Sequence, residues 1–175
     1  MSTQTQQAVQ SRQVALASRP EVVPSKDNFS LSTTELSPIQ DGEILVRNEG
    51  MPVDPYMRGR MKESESYVPA FEIGEPLEGG CIGEVIESKN EHFEVGDQLL
   101  GNLGWWEYRE SDGESVQKLD CKLTPIQAYL GAPGMTGMNA WVGLRRIAKL
   151  RPGGIVFVSA ASGGRRFNKS GSRIC

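Results

Sequence analysis

The chain has 175 residues, 23% of them charged and 38% hydrophobic. That composition suits a folded globular chain and excludes a disordered one. Nineteen Lys and Arg against 22 Asp and Glu leave a net charge of −3, which argues against nucleic acid or an anionic membrane as partner, because either asks for a basic face.

The charge is uneven. Arg165, Arg166, Lys169 and Arg173 sit together with no acid among or after them, so residues 1–164 hold 15 basic residues against 22 acidic. Residues 1–10 are rich in Ser, Thr and Gln and read as a flexible N-terminus without the features of a secretory leader. Apolar runs such as 155–158 fall far short of the ~20 residues that span a bilayer. Cys81, Cys121 and Cys175 stand far apart with no C-x-x-C, as in a cytoplasmic protein with reduced thiols.

In chain order, segments 14–17, 29–34, 44–48, 81–88, 98–100, 105–109 and 116–119 are predicted strands. Each is β-branched, aromatic or alternating, and each is bounded by Gly, Pro, Asp or Asn. Asp41-Gly42, Gly96-Asp97 and Asp112-Gly113 are turn dipeptides. Many short strands with regular turns predict a barrel or sandwich. Gly79, Gly80 and Gly83 flank or interrupt one strand and predict bulges or sharp bends.

The pattern changes near Pro125. Segment 125–130 is a predicted short helix capped by Thr124 with Pro at the first helical position. A longer helix opens at Thr136 or Gly137 and runs to about Leu150, with Met138, Trp141, Val142, Ile147 and Ala148 as an apolar stripe. Pro152-Gly153-Gly154 stops it. The apolar run 155–158 predicts a strand buried on both faces of a parallel sheet, and 159–164 a small-residue turn. Helix, buried strand and tight turn are how a nucleotide-binding α/β domain begins. The turn Ala160-x-x-Gly163 is half of a glycine fingerprint, with Arg166 where the complete form has its next glycine.

Residues 46–61 (VRNEGMPVDPYMRGRM), 73–83 (IGEPLEGGCIG), 131–137 (GAPGMTG) and 156–163 (VFVSAASG) together resemble the zinc-independent branch of the medium-chain dehydrogenase/reductase superfamily. Within it the chain is most similar to NADPH-dependent alkenal and enone double-bond reductases of the prostaglandin-reductase and curcumin-reductase type. The resemblance runs from about Arg12 to Gly164. It implies a mainly β chain with short helices: a GroES-like β-barrel at 11–130, the first helix and strand of an incomplete Rossmann NADP-binding domain at 131–164, and a basic tail at 165–175 outside the pattern. It implies reduction of the C=C bond of α,β-unsaturated aldehydes or ketones, with NADP(H) as cofactor, a small enone or alkenal as substrate, no zinc, no nucleic acid or membrane, and a homodimer in the cytoplasm.

Asp54-Pro55-Tyr56 matches the substrate-side motif. The resemblance implies Tyr56 as the catalytic phenol, and Pro55, Met135, Thr136, Ala161, Ser162 and Gly163 as cofactor contacts. Read without it, Tyr56 is a core tyrosine behind a Pro turn, and Gly134 and Gly137 are permissive glycines at a helix start. Trp105-Trp106 puts one face on the core and leaves the other partly exposed. His92, the only histidine, reads as a solvated loop residue, Cys81 as a small buried hydrophobe, and Glu63, Glu65, Glu72, Glu75 and Glu78 as a solvated surface. With only Cys81, Cys121 and His92 to draw on, the set is poor for a catalytic zinc.

Only 12 residues follow Gly163, against the roughly thirty of a β-α-β unit. These 175 residues alone are therefore expected neither to bind NADPH tightly nor to turn over. Codons for Gly-Val-Gly-Ser read out of phase can spell Arg-Arg-Phe-Asn, the residues at 165–168, so a one-base shift near Gly164 is one expected origin of the tail. The reading from a different class is a non-catalytic GroES-like β-barrel used as an interaction module.

Overall fold

In the computed structural model, which describes residues 8–63, 68–122 and 124–157, the first two strands form a two-stranded sheet of their own. β1 (Val9–Leu16) and β2 (Phe29–Leu36) form an antiparallel hairpin in full register. β1 starts at Val9, inside the segment expected to be a flexible N-terminus. β3 (Ile44–Gly50), β4 (Cys81–Ser88), β5 (Gln98–Gly101), β6 (Tyr108–Ser111) and β7 (Val116–Lys118) build a five-stranded antiparallel sheet in the order β6-β3-β4-β5-β7. The fold is mainly β with short helices. By its internal contacts the chain divides at Asp120/Cys121 into two compact units.

Of the seven strands predicted in the first unit, five appear nearly where expected, β1 begins five residues earlier, and the one at 105–109 is displaced. Strand pairing was expected over 105–109, but the ladder with β3 begins at Tyr108. The backbone of Trp105 and Glu107 instead serves β1: Val14 N–H donates to Trp105 O at 3.0 Å, and Glu107 N–H to Arg12 O at 2.8 Å. Gly104 makes the turn with φ +76, and a Cβ there would stand 2.8 Å from Leu77 O, so only glycine fits.

Three apolar clusters make the core of the first unit. Ile44, Val46, Cys81, Val85 and Leu99 meet between the central strands. Leu16, Met57, Met61, Phe71 and Leu77 gather under β1, and Leu36, Ile39 and Leu45 at the third corner. Alternation along β3 sends Ile44 and Val46 into one cluster and Leu45, between them, into another, so this stretch is buried on both faces. Gly83 sits in the middle of β4, opposite the register shift in β3 between Asn48 and Gly50. The glycine-marked bend is real.

Ser11 was not singled out by any sequence pattern. It is fully buried in β1. Its Oγ donates to Tyr108 O at 2.7 Å and accepts from Tyr108 N–H at 3.0 Å. One hydroxyl thus does for β1 and β6 what a ladder pair would do. Ser11→Ala orphans both main-chain groups, and urea unfolding of that variant should show a loss of about 2 kcal/mol or more. A change under ~0.5 kcal/mol would mean that water replaces the hydroxyl.

Asp97 ties the turn before β5 to β7. Burial works to raise its carboxyl, but the Glu94 N–H at 2.7 Å and Lys118 Nζ at 2.6 Å outweigh it and hold the group below the usual range. A lowered folded value contributes stability above the unfolded value of about 3.9 and loses it as pH falls through the folded one. Asp97→Asn should therefore melt below the parent at pH 7, with the gap closing in acid. A gap that persists undiminished into acid would contradict this.

In the second unit the helical expectations hold in part. Ile126–Leu130 is a 3-10 helix, and Pro125 rather than Thr124 is its cap, with an extended ψ of 148. α2 (Met135–Trp141) continues as a π-helical stretch, Val142–Ile147. It ends at Ile147, with Ala148 as cap and Lys149 at φ 49, earlier than the stop expected at Pro152-Gly153-Gly154, which forms a separate turn with Gly153 at φ 81. The apolar stripe is not covered: Met138, Trp141 and Ile147 are exposed. The strand expected over 155–158 is absent from its described part. Ile155 and Phe157 are 98% and 88% exposed and Ile155–Phe157 carry no strand pairing. The two failures share one reason: a parallel strand needs neighbours for its ladder and a sheet for its helix to cover. Val158, the small-residue turn and the basic tail lie outside the described residues.

Candidate functional site

Asp54-Pro55-Tyr56 opens a helix that the strand-and-turn pattern did not predict. α1 (Pro55–Arg60) has Asp54 as N-cap and Pro at its start, and Met57 N–H donates to Asp54 O at 3.1 Å. The signal was present: a capping Asp, a Pro suited to the first turn, and Met57 and Met61 four residues apart on one face. Both methionines are buried in the cluster with Leu16, Phe71 and Leu77. That fixes the helix and turns Tyr56 outward, 43% exposed. Tyr56 is thus not a core tyrosine.

Arg60 braces the next segment against α1. Its Nε donates to Pro69 O at 2.8 Å, its Nη2 to Glu78 Oε2 at 2.5 Å, and its guanidinium lies 4.1 Å from the Phe71 ring centroid. Glu78 and Glu63 are therefore ion-paired, Glu63 with Arg19 at 3.0 Å, rather than simply solvated. Glu65 lies outside the described residues.

Gly79 faces Tyr56. A methyl group placed on Gly79 would stand 3.1 Å from Met57 Cε, 3.5 Å from Trp105 Nε1 and 3.6 Å from Tyr56 Oη. The phenol, the indole and a bare stretch of main chain therefore converge. Partial burial, then the Asp54 carboxylate, push the Tyr56 hydroxyl above its usual value; Arg60 opposes them and Glu78 adds to them. The group stays a proton-bearing hydrogen-bond donor throughout the physiological range. Beside α1 opens an apolar cleft of about 780 Å³, lined among others by Asp54, Pro55, Met57, Leu77 and Trp105. Tyr56 itself does not line it.

The two tryptophans serve different clusters: Trp105 packs on Met57 and Leu77, Trp106 on Leu36 and Leu45 with Arg109 over its ring at 4.4 Å. Cys81 is buried, and burial pushes its thiol up. His92 is exposed. Among the described residues no three His, Cys, Asp or Glu side chains gather in a way that could hold a metal ion, and no helix is long and apolar enough to cross a membrane.

Of the expected cofactor contacts, Pro55 lies in the first unit beside Tyr56. Met135 and Thr136 start α2 in the second, Met135 well exposed and Thr136 half-buried. The turn before them is drawn tight, since a Cβ on Gly134 would collide with Tyr129 O. Ala161, Ser162 and Gly163 lie outside the described residues.

Residues 12–119 match the family model for the N-terminal domain of oxidoreductases. The chain belongs to that family. Its oxidoreductase relatives include the NADPH-dependent curcumin reductase of Escherichia coli, 37% identical over 158 residues, which are 90% of this chain and 46% of the relative. Prostaglandin reductase 1 of Rattus norvegicus is 36% identical over 158 residues, 89% of this chain and 46% of the relative. Among solved structures, CurA of Vibrio vulnificus in complex with NADPH superposes with a TM-score of 0.80 at 37% identity, covering 88% of this chain and 46% of that one. The chain thus spans about half the length of the curated relatives it matches. These matches bear out the resemblance of the motifs to NADPH-dependent alkenal and enone reductases, and the mainly β class of the fold.

Proposed function

We propose that this chain forms the substrate side of an NADPH-dependent, zinc-independent reductase acting on the C=C bond of α,β-unsaturated aldehydes and ketones, with 11–130 as the barrel and 131–164 as the opening of the cofactor domain. The observation that carries the reading is the Tyr56 hydroxyl: outward-facing, proton-bearing, and held beside main chain by a helix anchored through Met57 and Met61. Similarity to reductases of curcumin and prostaglandins supports it.

NADPH bound by the intact enzyme supplies hydride chemistry. The chain's own residues hold and polarise the substrate. The Tyr56 O–H donates to the carbonyl oxygen, and this bond strengthens as the oxygen takes on enolate charge, which is where catalysis gains. Met57 and Trp105 offer apolar contact for the alkene and keep water from it. Pro55, Met135 and Thr136, with Ala161, Ser162 and Gly163, are assigned to the cofactor. The working form is a cytoplasmic homodimer.

Two measurements test this. A polypeptide of these 175 residues alone should give no saturable NADPH fluorescence change at micromolar concentration, because it lacks most of a dinucleotide site. Joined after Gly163 to the second half of the E. coli curcumin reductase, it should oxidise NADPH in proportion to an added small enone. A chimera that melts cooperatively and binds NADPH yet leaves every enone untouched would favour the non-catalytic interaction barrel.

A further inference from the structure

Two buried donors of this region lack a hydrogen-bond partner among the described residues, Arg58 Nη1 and the Trp105 indole; the Arg58 guanidinium is held by its other nitrogen on Val22 O, whereas the indole has no such task. Its Nε1 carries essentially no accessible surface and has no hydrogen-bond partner. Leaving a buried N–H unpaired costs about 1–3 kcal/mol, so a polar acceptor within short reach is to be expected. The ring is not free to seek one. The Trp105 backbone is bonded on both sides, its N–H to Leu77 O at 2.8 Å and its carbonyl to Val14 N–H at 3.0 Å, and its side chain lies on the Leu16–Met57–Leu77 cluster.

The mobile partner is Tyr56. Its Oη and Trp105 Nε1 both lie within 3.6 Å of a single point beside Gly79, and the third neighbour of that point, Met57 Cε, is a methyl group that can accept nothing. Tyr56 is half-exposed and turns about its side-chain bonds without disturbing the core. A substrate oxygen is a poorer candidate, because the indole nitrogen is out of reach of anything as large as water.

We propose that Trp105 is a positioning residue for Tyr56: its indole N–H donates to the phenol oxygen and so aims the phenol's own O–H outward at a substrate carbonyl. The oxygen accepts through a lone pair and keeps its proton, so no proton is transferred between the two rings. Donation into the phenol also strengthens the bond that the phenol makes outward. Glycine at position 79 is then required because a methyl group would occupy the space where the two side chains meet. The inference rests on the reading of Tyr56 as the substrate-side donor, but its test needs neither cofactor nor substrate.

The test follows the indole N–H signals of the 15N-labelled 175-residue chain by NMR. Three tryptophans give three signals, and Trp106→Phe and Trp141→Phe assign the Trp105 one by elimination. Tyr56→Phe, which removes a single oxygen, should move the Trp105 signal upfield and speed its exchange with solvent roughly tenfold, while the Trp106 signal stays. Gly79→Ala should do the same with both rings intact. With rising pH the Trp105 signal should follow the ionisation of Tyr56, the step being absent in Tyr56→Phe; Asp54, Arg60 and Glu78, the charges that face the phenol, are unchanged in that comparison. A Trp105 signal indifferent to Tyr56→Phe and to the phenol's ionisation overturns the proposal. It would leave the reductase reading standing, which the enone assay decides separately.

Discussion

Gly83→Val should abolish the cooperative melt of the first unit, and Gly83→Ala alone should cost about 3 kcal/mol in urea unfolding. A Cβ at this position would stand 2.6 Å from Arg47 O and 2.8 Å from Val46 Cγ1, with Arg47 C at 3.2 Å. The nearest obstacle is main chain, which a rotamer change cannot remove. Nor can β3 back away as a whole, because Gly83 pairs with Asn48 on one side and Leu99 on the other, at the centre of the five-stranded sheet. Either the strands separate or the register slips, and a slip of one residue exchanges the inner and outer faces. Gly59 is the control. It lies in α1 with open space around its Cβ position, so Gly59→Ala should raise stability by up to ~1 kcal/mol. Equal effects at the two glycines would mean that backbone entropy, not the close approach at Gly83, is what matters.

The second large effect concerns chemistry. In the chimera carrying a complete cofactor domain, Tyr56→Phe should lower kcat about a hundredfold, the usual cost of removing one donor to a developing oxyanion. KM should change little, since the ring and its packing remain and the bond is made chiefly in the transition state. The loss should be uniform from pH 6 to 8, because burial and Asp54 push the phenol up and away from that range. A fall in kcat/KM carried wholly by KM would make Tyr56 a binding residue only. Activity untouched by the substitution would remove it from the site.

The candidate site was legible in its residues but not in its shape. The string Asp54-Pro55-Tyr56 announces itself, yet a pattern search built on strands and turns reads it as a turn, because a helix of six residues is too short to show a period. The cap, the Pro and the Met57–Met61 spacing signal a helix, but only the burial of the two methionines shows which way Tyr56 points. Trp105 fared similarly. Two adjacent tryptophans suggest an alternating strand, but a left-handed glycine before them and hydrogen bonds to β1 after it take the pair out of the ladder.

Local chemistry was enough for most strand positions in the first unit and for the glycine-marked bend at Gly83. Alternation, steric exclusion and backbone preference all act within a few residues. What needed three dimensions were the bonds between distant parts of the chain: Ser11 joining β1 to β6 across 97 residues, and Arg60 bracing Glu78. The exposed run Ile155–Phe157 makes the same point from the other side. Its composition suits a buried strand, but burial is a property of what surrounds a segment, and no composition supplies the neighbouring strands that would confer it.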